Sequence, residues 1–393
     1  MGEAVILSAA RTPTGRFLGA LSPRSATALG GIAISAAIQR AGVEPAAVDE
    51  VIMGNVLSCG LGQAPARQAA LAAGLSDSIN AFAVNKVCGS GLKAVMLAAQ
   101  AIHADEADLI VAGGMESMSN APYLVRGLRT GVKMTHQTLE DAMIGDGLWC
   151  PFENQHMGMA AEHIARKFNI TRRMQDEYAL QSHLKAVAAQ DAGAFDEEIV
   201  PVETAERKGP PVRVTADETP RRDTSLEKLA ALRPVFQPEG GTVTAGNAPG
   251  VNDGAAAVVV ASAAKARALA RQPLARIVAY TAVGVAPIDI FYAPVLAVRK
   301  VLEKAGLALD QIEVLELNEA FSAQAAADIQ ELGVDPARVN KRGGAVALGH
   351  PIGASGARIL TTLLHIMKNE GLKRGLASLC LGGGNAVAMV VER

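Results

Sequence analysis

Two stretches of the chain repeat one pattern: AISAAIQRAGVEPAAVDEVIMGN, from Ala33 to Asn55, and AVRKVLEKAGLALDQIEVLELN, from Ala297 to Asn318. Each contains an amphipathic helix, an Ala-Gly stop, an acidic turn, a short apolar strand and a final Asn. The order and the spacing of these features agree to within one residue. The chain is therefore predicted to contain an internal duplication.

The duplication continues further along both halves. Leu92 to Gly114 (helix, acidic linker, apolar strand) parallels Ala357 to Gly383 (helix, basic linker, apolar strand), and a turn ending in Ser-Gly precedes each. Helices that alternate with short, continuously apolar strands are typical of α/β proteins with mostly parallel sheets. We therefore predict an α/β fold in which two similar layered halves pack together.

Between the halves, the segment 119–249 has scattered Pro and Gly, mixed charge, and the distinctive residues Trp149, His156 and Met157. A long helical pattern from Met157 to Ala192 predicts that this segment is ordered. We interpret it as an inserted loop domain that faces the substrate. The predicted domains are a first half formed by 1–118 and 250–270, the insertion 119–249, and a second half 271–393.

Composition narrows the function classes. The formal net charge of −2 lacks the basic field of nucleic-acid-binding proteins. Apolar runs such as 255–264 are shorter than the roughly 20 residues that span a bilayer, and the N-terminus does not read as a signal peptide. Four cysteines without a C-x-x-C pair fit a reducing compartment. We expect a cytoplasmic protein that binds neither nucleic acid nor membrane.

The segment VNKVCGSG, residues 84–91, places Cys88 between an apolar strand and a helix. A nucleophile in such an elbow lies at the positive end of the helix, where free backbone amides can lower its pKa and hold an oxyanion. A buried structural cysteine beside a tight turn explains this segment equally well when it is considered alone.

The segment GGAVALGHPIGASG, residues 343–356, holds His350 between Gly and Pro in a glycine-rich loop. Glycines let a backbone approach a ligand closely and Pro restricts the residue before it, which suits a general base held in place. A phosphate cradle is the alternative, but neither the P-loop pattern nor a dinucleotide fingerprint fits the spacing. By itself the motif is also compatible with a structural histidine.

Two further segments complete the set. Cys380 ends a strand in LCLGGGN, residues 379–385, at the corresponding turn of the second half, so the two cysteines can converge on one pocket. Asn318 and Glu319 directly follow the apolar strand 314–317. This pair either caps a helix, or Asn318 orients a water or donates toward developing negative charge.

These four segments together resemble the thiolase family, in particular its acetoacetyl-CoA-forming branch. The likeness extends from Val5 to the last residues and includes GGMESMS at 113–119, HMG at 156–158 and TAGN at 244–247. It implies a layered α/β/α/β/α fold of two similar five-stranded halves, with a loop domain inserted in the first. It also implies a homotetramer, a dimer of dimers, with oligomer contacts in the loop domain.

The resemblance implies a role for each matching residue. Cys88 is expected to be the acylated nucleophile, His350 to take its proton, and Cys380 to remove the α-proton of the second acyl-CoA. Asn318, through a water, is expected to join His350 in one oxyanion hole, and the amides of Cys88 and Gly382 to form the other. The positions that match the lining of the coenzyme A channel are Leu148, His156, Met157, Arg221, Phe236, Ala245, Pro249 and Phe321.

The implied reaction is the reversible Claisen condensation of two acetyl-CoA to acetoacetyl-CoA and CoA, through an acetyl group on Cys88. Coenzyme A thioesters are then substrates, and neither a metal nor a tightly bound cofactor is expected. The alternative is a broader 3-ketoacyl-CoA thiolase of fatty-acid degradation. Pro249 stands where the family usually has Ser, and IFYAP at 290–294 replaces the common M-G-x-G-P.

Three other classes fit less well. A ketoacyl synthase pairs its cysteine with histidines, so Cys380 argues against it. A non-catalytic lipid carrier is disfavoured because Cys88, His350 and Cys380 are all present. A hydrolase that uses Cys88 is the weakest alternative, since no acidic partner for His350 stands out.

Overall fold

The computed structural model describes residues 2–204 and 211–393. The first half contains β1 (Ala4–Arg11), β2 (Gly15–Arg16), α1 (Ala26–Ala41), β3 (Glu50–Gly54), α2 (Pro65–Ala72), β4 (Asn80–Val84), α3 (Ser90–His103) and β5 (Leu109–Ser117). The insertion contains β6 (Tyr123–Leu124), β7 (Glu140–Asp141), β8 (Trp149–Cys150), β9 (Gln155–His156), α4 (Met157–Lys167), α5 (Arg172–Asp191), β10 (Val202–Thr204), β11 (Val212–Val214) and α6 (Leu226–Ala230). The remainder contains β12 (Asn252–Ser262), α7 (Ala263–Ala268), β13 (Ala275–Gly284), α8 (Ala293–Ala305), β14 (Val314–Leu317), α9 (Ser322–Leu332), α10 (Ala345–Leu348), α11 (Ile352–Glu370), β15 (Arg374–Leu381) and β16 (Asn385–Glu392).

The duplication is visible in the strand order. The first half has the order β4-β3-β5-β12-β1, and the second has the matching order β14-β15-β16-β13. Antiparallel pairing of β1 with β13 joins the halves edge to edge. The five-stranded prediction holds for the first half, whereas the fifth place in the second is only a bridge between Leu315 and Val339. The chain there turns through a short 3₁₀ helix at 336–338, so no longer strand can form.

The predicted layers are confirmed. Helices α1 and α2 pack outside the first sheet, and α8 packs against β13 and β16 of the second. Helices α3 and α11 pack against each other, and α11 also contacts strands of both halves. The predicted Ala-Gly stops are confirmed too, because α1 and α8 end at Gly42 and Gly306 with φ of 61° and 65°.

The prediction of mostly parallel sheets was wrong. Among the described strands of the large sheet, only β3–β4, β3–β5 and β14–β15 are parallel, and the other pairings are antiparallel. Continuous apolar strands indicate burial on both faces rather than strand direction. Here that burial comes from the central helices α3 and α11, which cover the inner faces of both halves.

Within the insertion, the helical pattern from Met157 to Ala192 forms two helices rather than one. The chain breaks between α4 and α5, where Asn169 has a φ of 55° and Thr171 caps α5 by accepting a hydrogen bond from the Met174 amide. Among the described residues, none of the helices combines the length and apolar composition that a membrane span requires.

The two central helices approach each other closely near their N-termini. A Cβ atom on Gly91 would lie 2.8 Å from the Ala357 backbone nitrogen, and one on Gly356 would lie 2.4 Å from that of Leu92. Only glycine fits at such a contact. Because Cys88 precedes α3 by two residues and His350 precedes α11 by two, this crossing brings both side chains to one place.

Candidate active site

One cavity of about 250 Å³, called the cysteine cavity, brings the predicted site residues together. Its lining includes both cysteines and His350. Ten of the predicted residues line it: Cys88, Leu148, His156, Met157, Phe236, Pro249, Phe321, His350, Cys380 and Gly382. Thiols that are 292 positions apart in the sequence therefore line one cavity, as expected from their places at related ends of the two sheets.

A strained turn presents Cys88 to this cavity. Strand β4 ends four residues earlier, and Val87 has a φ of 47°, which is unusual for a β-branched residue. Ser90 fixes the turn, because its hydroxyl accepts from the Lys86 amide (2.9 Å) and donates to the Val87 carbonyl (2.6 Å). Helix α3 begins at Ser90, so Cys88 lies at its positive end as predicted.

Cys380 is the penultimate residue of β15, and a glycine turn connects that strand to β16. Gly383 and Gly384 have φ of 82° and 81°, which a side chain would disfavour. The turn places the Gly382 backbone amide near the Cys88 thiol, where it acts to lower the pKa of that thiol. The second oxyanion hole that involves this amide stays a prediction.

His350 is held from three sides. Its backbone amide donates to Asn252 Oδ1 (2.8 Å), and its Nδ1 lies 2.6 Å from Ser355 Oγ and 3.5 Å from Asn318 Nδ2. Its Nε2 is buried and has no hydrogen-bond partner among residues 2–204 and 211–393. Burial, and to a smaller extent Arg358, lower the pKa of His350 to about 3, so the imidazole is neutral at rest.

Both thiols are also neutral at rest, which corrects the prediction of a lowered Cys88 pKa. Burial raises the pKa of Cys88 to about 12, although the amides of Gly382 and Cys88 oppose that shift. Burial and the nearby Cys88 likewise raise the pKa of Cys380 well above its usual value, so it is not poised near neutrality. Both sulfur atoms therefore carry a proton at neutral pH.

The Asn318-Glu319 pair does not cap α9, the helix that directly follows it. Helix α9 begins at Ser322 without a side-chain cap, Asn318 lies beside His350, and Asn318 Oδ1 has no partner in the described part of the chain. Glu319 instead accepts hydrogen bonds from Tyr178, Ser182, Asn340 and the Val346 amide, which tie the insertion to the loop before His350. Asn318 therefore lies beside His350, as the second interpretation of this pair requires.

The cysteine cavity has an apolar aromatic wall. The His156 ring stacks on Phe236 at 4.6 Å, and Phe236 meets Phe321 edge to face at 6.3 Å. His156 Nδ1 also accepts the Gly158 amide at 3.0 Å, which fixes the orientation of the ring. Such a wall suits an extended, largely apolar ligand arm.

Two predicted residues, Arg221 and Ala245, lie elsewhere. They line a neighbouring cavity of about 280 Å³ together with Arg16 and His183. Ala248 and Gly250 line both cavities. The two spaces are therefore adjacent, and Arg221 is near the charged end of the combined cleft rather than near the cysteines.

Family models of the thiolase N-terminal and C-terminal domains match residues 4–264 and 271–393. The chain belongs to the thiolase family. It is 54% identical over 393 residues to the acetyl-CoA acetyltransferase of Cupriavidus necator and 53% identical over 394 residues to that of Escherichia coli, with full coverage of both chains in each case. It is also similar to the crystal structure of the Bacillus anthracis acetyl-CoA acetyltransferase, with a TM-score of 0.97, 43% identity and coverage of 100% of this chain and 99% of that one.

The sequence analysis missed Glu116, a residue that supports the site of this thiolase without lining the cavity. Glu116 is fully buried and accepts four hydrogen bonds, from the side chain of Asn55 and the amides of Val56, Leu57 and Gly353. It joins the loop after β3 to the start of α11. A lone carboxylate inside the apolar strand LIVAGGMES is the signal that could have identified it.

Proposed function

We propose that this thiolase is an acetyl-CoA C-acetyltransferase, an acyltransferase that condenses two acetyl-CoA reversibly to acetoacetyl-CoA and CoA. The observation that carries the proposal is the convergence of Cys88, Cys380 and His350 on one cavity. Claisen condensation needs a nucleophile that stores the acyl group and a base that removes an α-proton. Full-length relatives named acetyl-CoA acetyltransferase add support.

In the first step, Cys88 attacks the thioester carbonyl of acetyl-CoA while its thiol proton moves to His350 Nε2. The carbonyl oxygen becomes an oxyanion, which the amides of Gly382 and Cys88 stabilise. The carbon–sulfur bond to coenzyme A breaks, and the leaving thiolate takes the Cys380 proton. The products are acetyl-Cys88, CoA, a protonated His350 and a Cys380 thiolate.

In the second step, the Cys380 thiolate removes an α-proton from a second acetyl-CoA. The charge moves to the thioester oxygen, beside protonated His350 and a water held by Asn318. The carbanion attacks acetyl-Cys88, a carbon–carbon bond forms, and the Cys88 thiolate leaves and regains its proton from His350. Both thiols and the imidazole return to their neutral resting forms, in agreement with the directions of their pKa shifts.

Coenzyme A is proposed to lie along the combined cleft, with its pantetheine arm against His156, Phe236 and Phe321 and its charged end near Arg221. Leu148, Met157, Ala245 and Pro249 complete the lining in this proposal. No tightly bound cofactor or metal takes part, because the two thiols and the imidazole supply every proton transfer. Pro249 offers neither a hydroxyl nor an amide hydrogen to the ligand.

Mass spectrometry of the protein incubated with acetyl-CoA tests the role of each cysteine. We expect one acetyl group, on Cys88. Cys380→Ser should acetylate but not condense, and Cys88→Ser should do neither. Acetylation of Cys380 with Cys88 untouched would overturn the assignment.

The broader 3-ketoacyl-CoA thiolase is the second candidate, and chain length separates the two. Ile290 and Phe291, each 2% exposed, line the cysteine cavity, and Phe291 packs edge to face on Phe321 at 5.4 Å. This packed lining favours short acyl groups. Thiolysis should be fastest with acetoacetyl-CoA, and equal rates with longer 3-ketoacyl-CoA substrates would favour the second candidate.

We also infer a cytoplasmic homotetramer, a dimer of dimers. Strand β4 lies at an edge of the large sheet and leaves Phe82 40% exposed, and the insertion exposes Tyr123, Met134 and Phe152. Open sheet edges and exposed apolar side chains are typical of surfaces that another subunit covers. Analytical ultracentrifugation tests this inference, and a stable monomer would contradict it.

A further inference from the structure

The two nitrogens of His350 have different surroundings. His350 lines the cysteine cavity, and its Nε2 is buried without a hydrogen-bond partner among the described residues. Nδ1 lies 2.6 Å from Ser355 Oγ, whereas the 3.5 Å to Asn318 Nδ2 is too long for a strong hydrogen bond. Ser355 is therefore the principal partner of Nδ1.

The proposed proton transfer allows only one tautomer of the His350 imidazole. A neutral histidine carries one ring hydrogen, so Nε2 can accept the Cys88 proton only if that hydrogen is on Nδ1. The Ser355 hydroxyl can accept from Nδ1 because its own hydrogen has another acceptor, the Pro351 carbonyl at 2.9 Å. A carbonyl only accepts, so the direction Nδ1–H to Oγ–H to O=C is consistent throughout.

We propose that Ser355 is a positioning residue that holds His350 with its hydrogen on Nδ1, which leaves Nε2 free to take the Cys88 proton. This inference rests on the proposed function. It assigns to a hydroxyl the task that a buried carboxylate has in a Ser-His-Asp triad. The same hydroxyl accepts from Nδ1 while His350 is positively charged between the two steps.

The surrounding charges make this acceptor important. Among residues 2–204 and 211–393, no carboxylate forms an ion pair with His350. The charged residue that lowers the pKa of His350 is Arg358, which is buried and follows Ser355 by three residues on the same face of α11. It therefore opposes a positive imidazole. Glu316 on β14 interacts with Arg358 rather than with His350. Ser355 is thus the group that can receive the Nδ1 hydrogen.

The test uses the full-length protein and measures how fast acetyl-CoA acetylates Cys88. Ser355→Ala should acetylate about 10- to 100-fold more slowly, because a buried hydrogen bond to a charged group is lost, while the acetyl-CoA dissociation constant is unchanged. Thr361→Val is the matched control. Thr361 is also fully buried on α11 and donates to the carbonyl four residues earlier, that of Ala357, at 2.9 Å. The control should stay within threefold of the wild type.

Nitrogen NMR of the protein labelled with ¹⁵N-histidine reports the tautomer directly, and His350→Gln identifies the His350 signals. We expect hydrogen on Nδ1 in the wild type and a mixture of tautomers in Ser355→Ala. Hydrogen on Nε2 in the wild type would overturn the proposal. This measurement does not depend on whether Ser355→Ala folds. Equal acetylation rates for Ser355→Ala and Thr361→Val would also overturn the proposal. A wild type that does not acetylate Cys88 would instead refute the proposed function, because the tautomer is read independently.

Discussion

Adding one methyl group at Gly356 should separate the two central helices and slow acetylation. The Cβ of Gly356→Ala would lie 2.4 Å from the Leu92 backbone nitrogen and 2.8 Å from its Cβ. Non-bonded heavy atoms pack at about 3.5 Å, so the helices must move apart by about 1 Å. Overpacking costs about 1–3 kcal/mol, whereas Ala in place of Gly in a helix contributes about 1 kcal/mol of stability. The free energy of unfolding should therefore fall by about 0–2 kcal/mol, and the variant should fold.

The effect on chemistry should be larger than the effect on stability. Cys88 and His350 each precede one of the crossing helices by two residues, so a shift of the helices changes the distance between the two groups. A misplacement of about 1 Å can slow a reaction by about 100-fold. We expect the rate of Cys88 acetylation by acetyl-CoA to fall by that order.

The control for this prediction is Gly284→Ala, at the end of β13. A Cβ there would have no heavy atom within 4 Å, and Gly284 does not have a positive φ. Urea unfolding and quenched acetylation followed by mass spectrometry measure both variants. If folded Gly356→Ala acetylates at the rate of Gly284→Ala, the helix crossing does not set the distance between Cys88 and His350.

Three other variants test single contacts. Glu116→Gln replaces one of the two carboxylate oxygens with a donor, which leaves two buried donors without an acceptor. Urea unfolding should show that the free energy of unfolding falls by about 2–6 kcal/mol, against less than about 0.5 kcal/mol for exposed Glu140→Gln. Equal losses would contradict the role of Glu116. Burial raises the pKa of Glu316 from 4.5 to about 8, so the folded state binds this proton more tightly than the unfolded state does. Between pH 6 and pH 8 the folded state therefore loses about 2–3 kcal/mol of its free energy of unfolding through Glu316 as the pH rises. Thermal unfolding of Glu316→Gln should therefore depend less on pH than that of the wild type, and parallel curves would refute the shift. Pro249→Ser supplies two hydrogen-bond donors to the cavity, a hydroxyl and a backbone amide. Steady-state kinetics should therefore show a KM for acetyl-CoA about 2- to 10-fold lower with kcat unchanged. A higher KM would contradict this prediction.

The layers of the fold were predictable because the sequence contains the same pattern of helices and strands twice. The repeated helix, Ala-Gly stop and strand recur as α1–β3 and α8–β14, and Gly42 and Gly306 end the two helices in the same left-handed conformation. Strand direction was not predictable in this way. The apolar composition of a strand shows that both of its faces are buried. It does not show whether the preceding connection is a helix, which gives a parallel neighbour, or a tight turn, which gives an antiparallel one.

The reacting groups were predictable from motifs, whereas their protonation was not. Cys88, His350 and Cys380 each stand in a distinctive glycine-rich segment. The helix-terminus argument for a low Cys88 pKa counted the field of the helix but not the loss of water, and burial is the larger effect. Ser355 lies five residues after His350, a separation that brings the two together only through the turn at Pro351 and the first turn of α11.

Divergence between the duplicated halves gives matched residues different surroundings. Cys88 and His350 each lie two residues before a central helix, but they do not correspond in the duplication, because the matched Ser-Gly turns align Cys88 with Gly353. Asn55 and Asn318 do match, since each directly follows an equivalent strand. Asn55 donates to Glu116 at 2.8 Å and stabilises the loop, whereas the Asn318 oxygen has no partner in the described chain and lies beside His350. The duplicated fold thus places the same residue after two equivalent strands, and the neighbours of each Asn decide whether it stabilises a loop or lies beside His350.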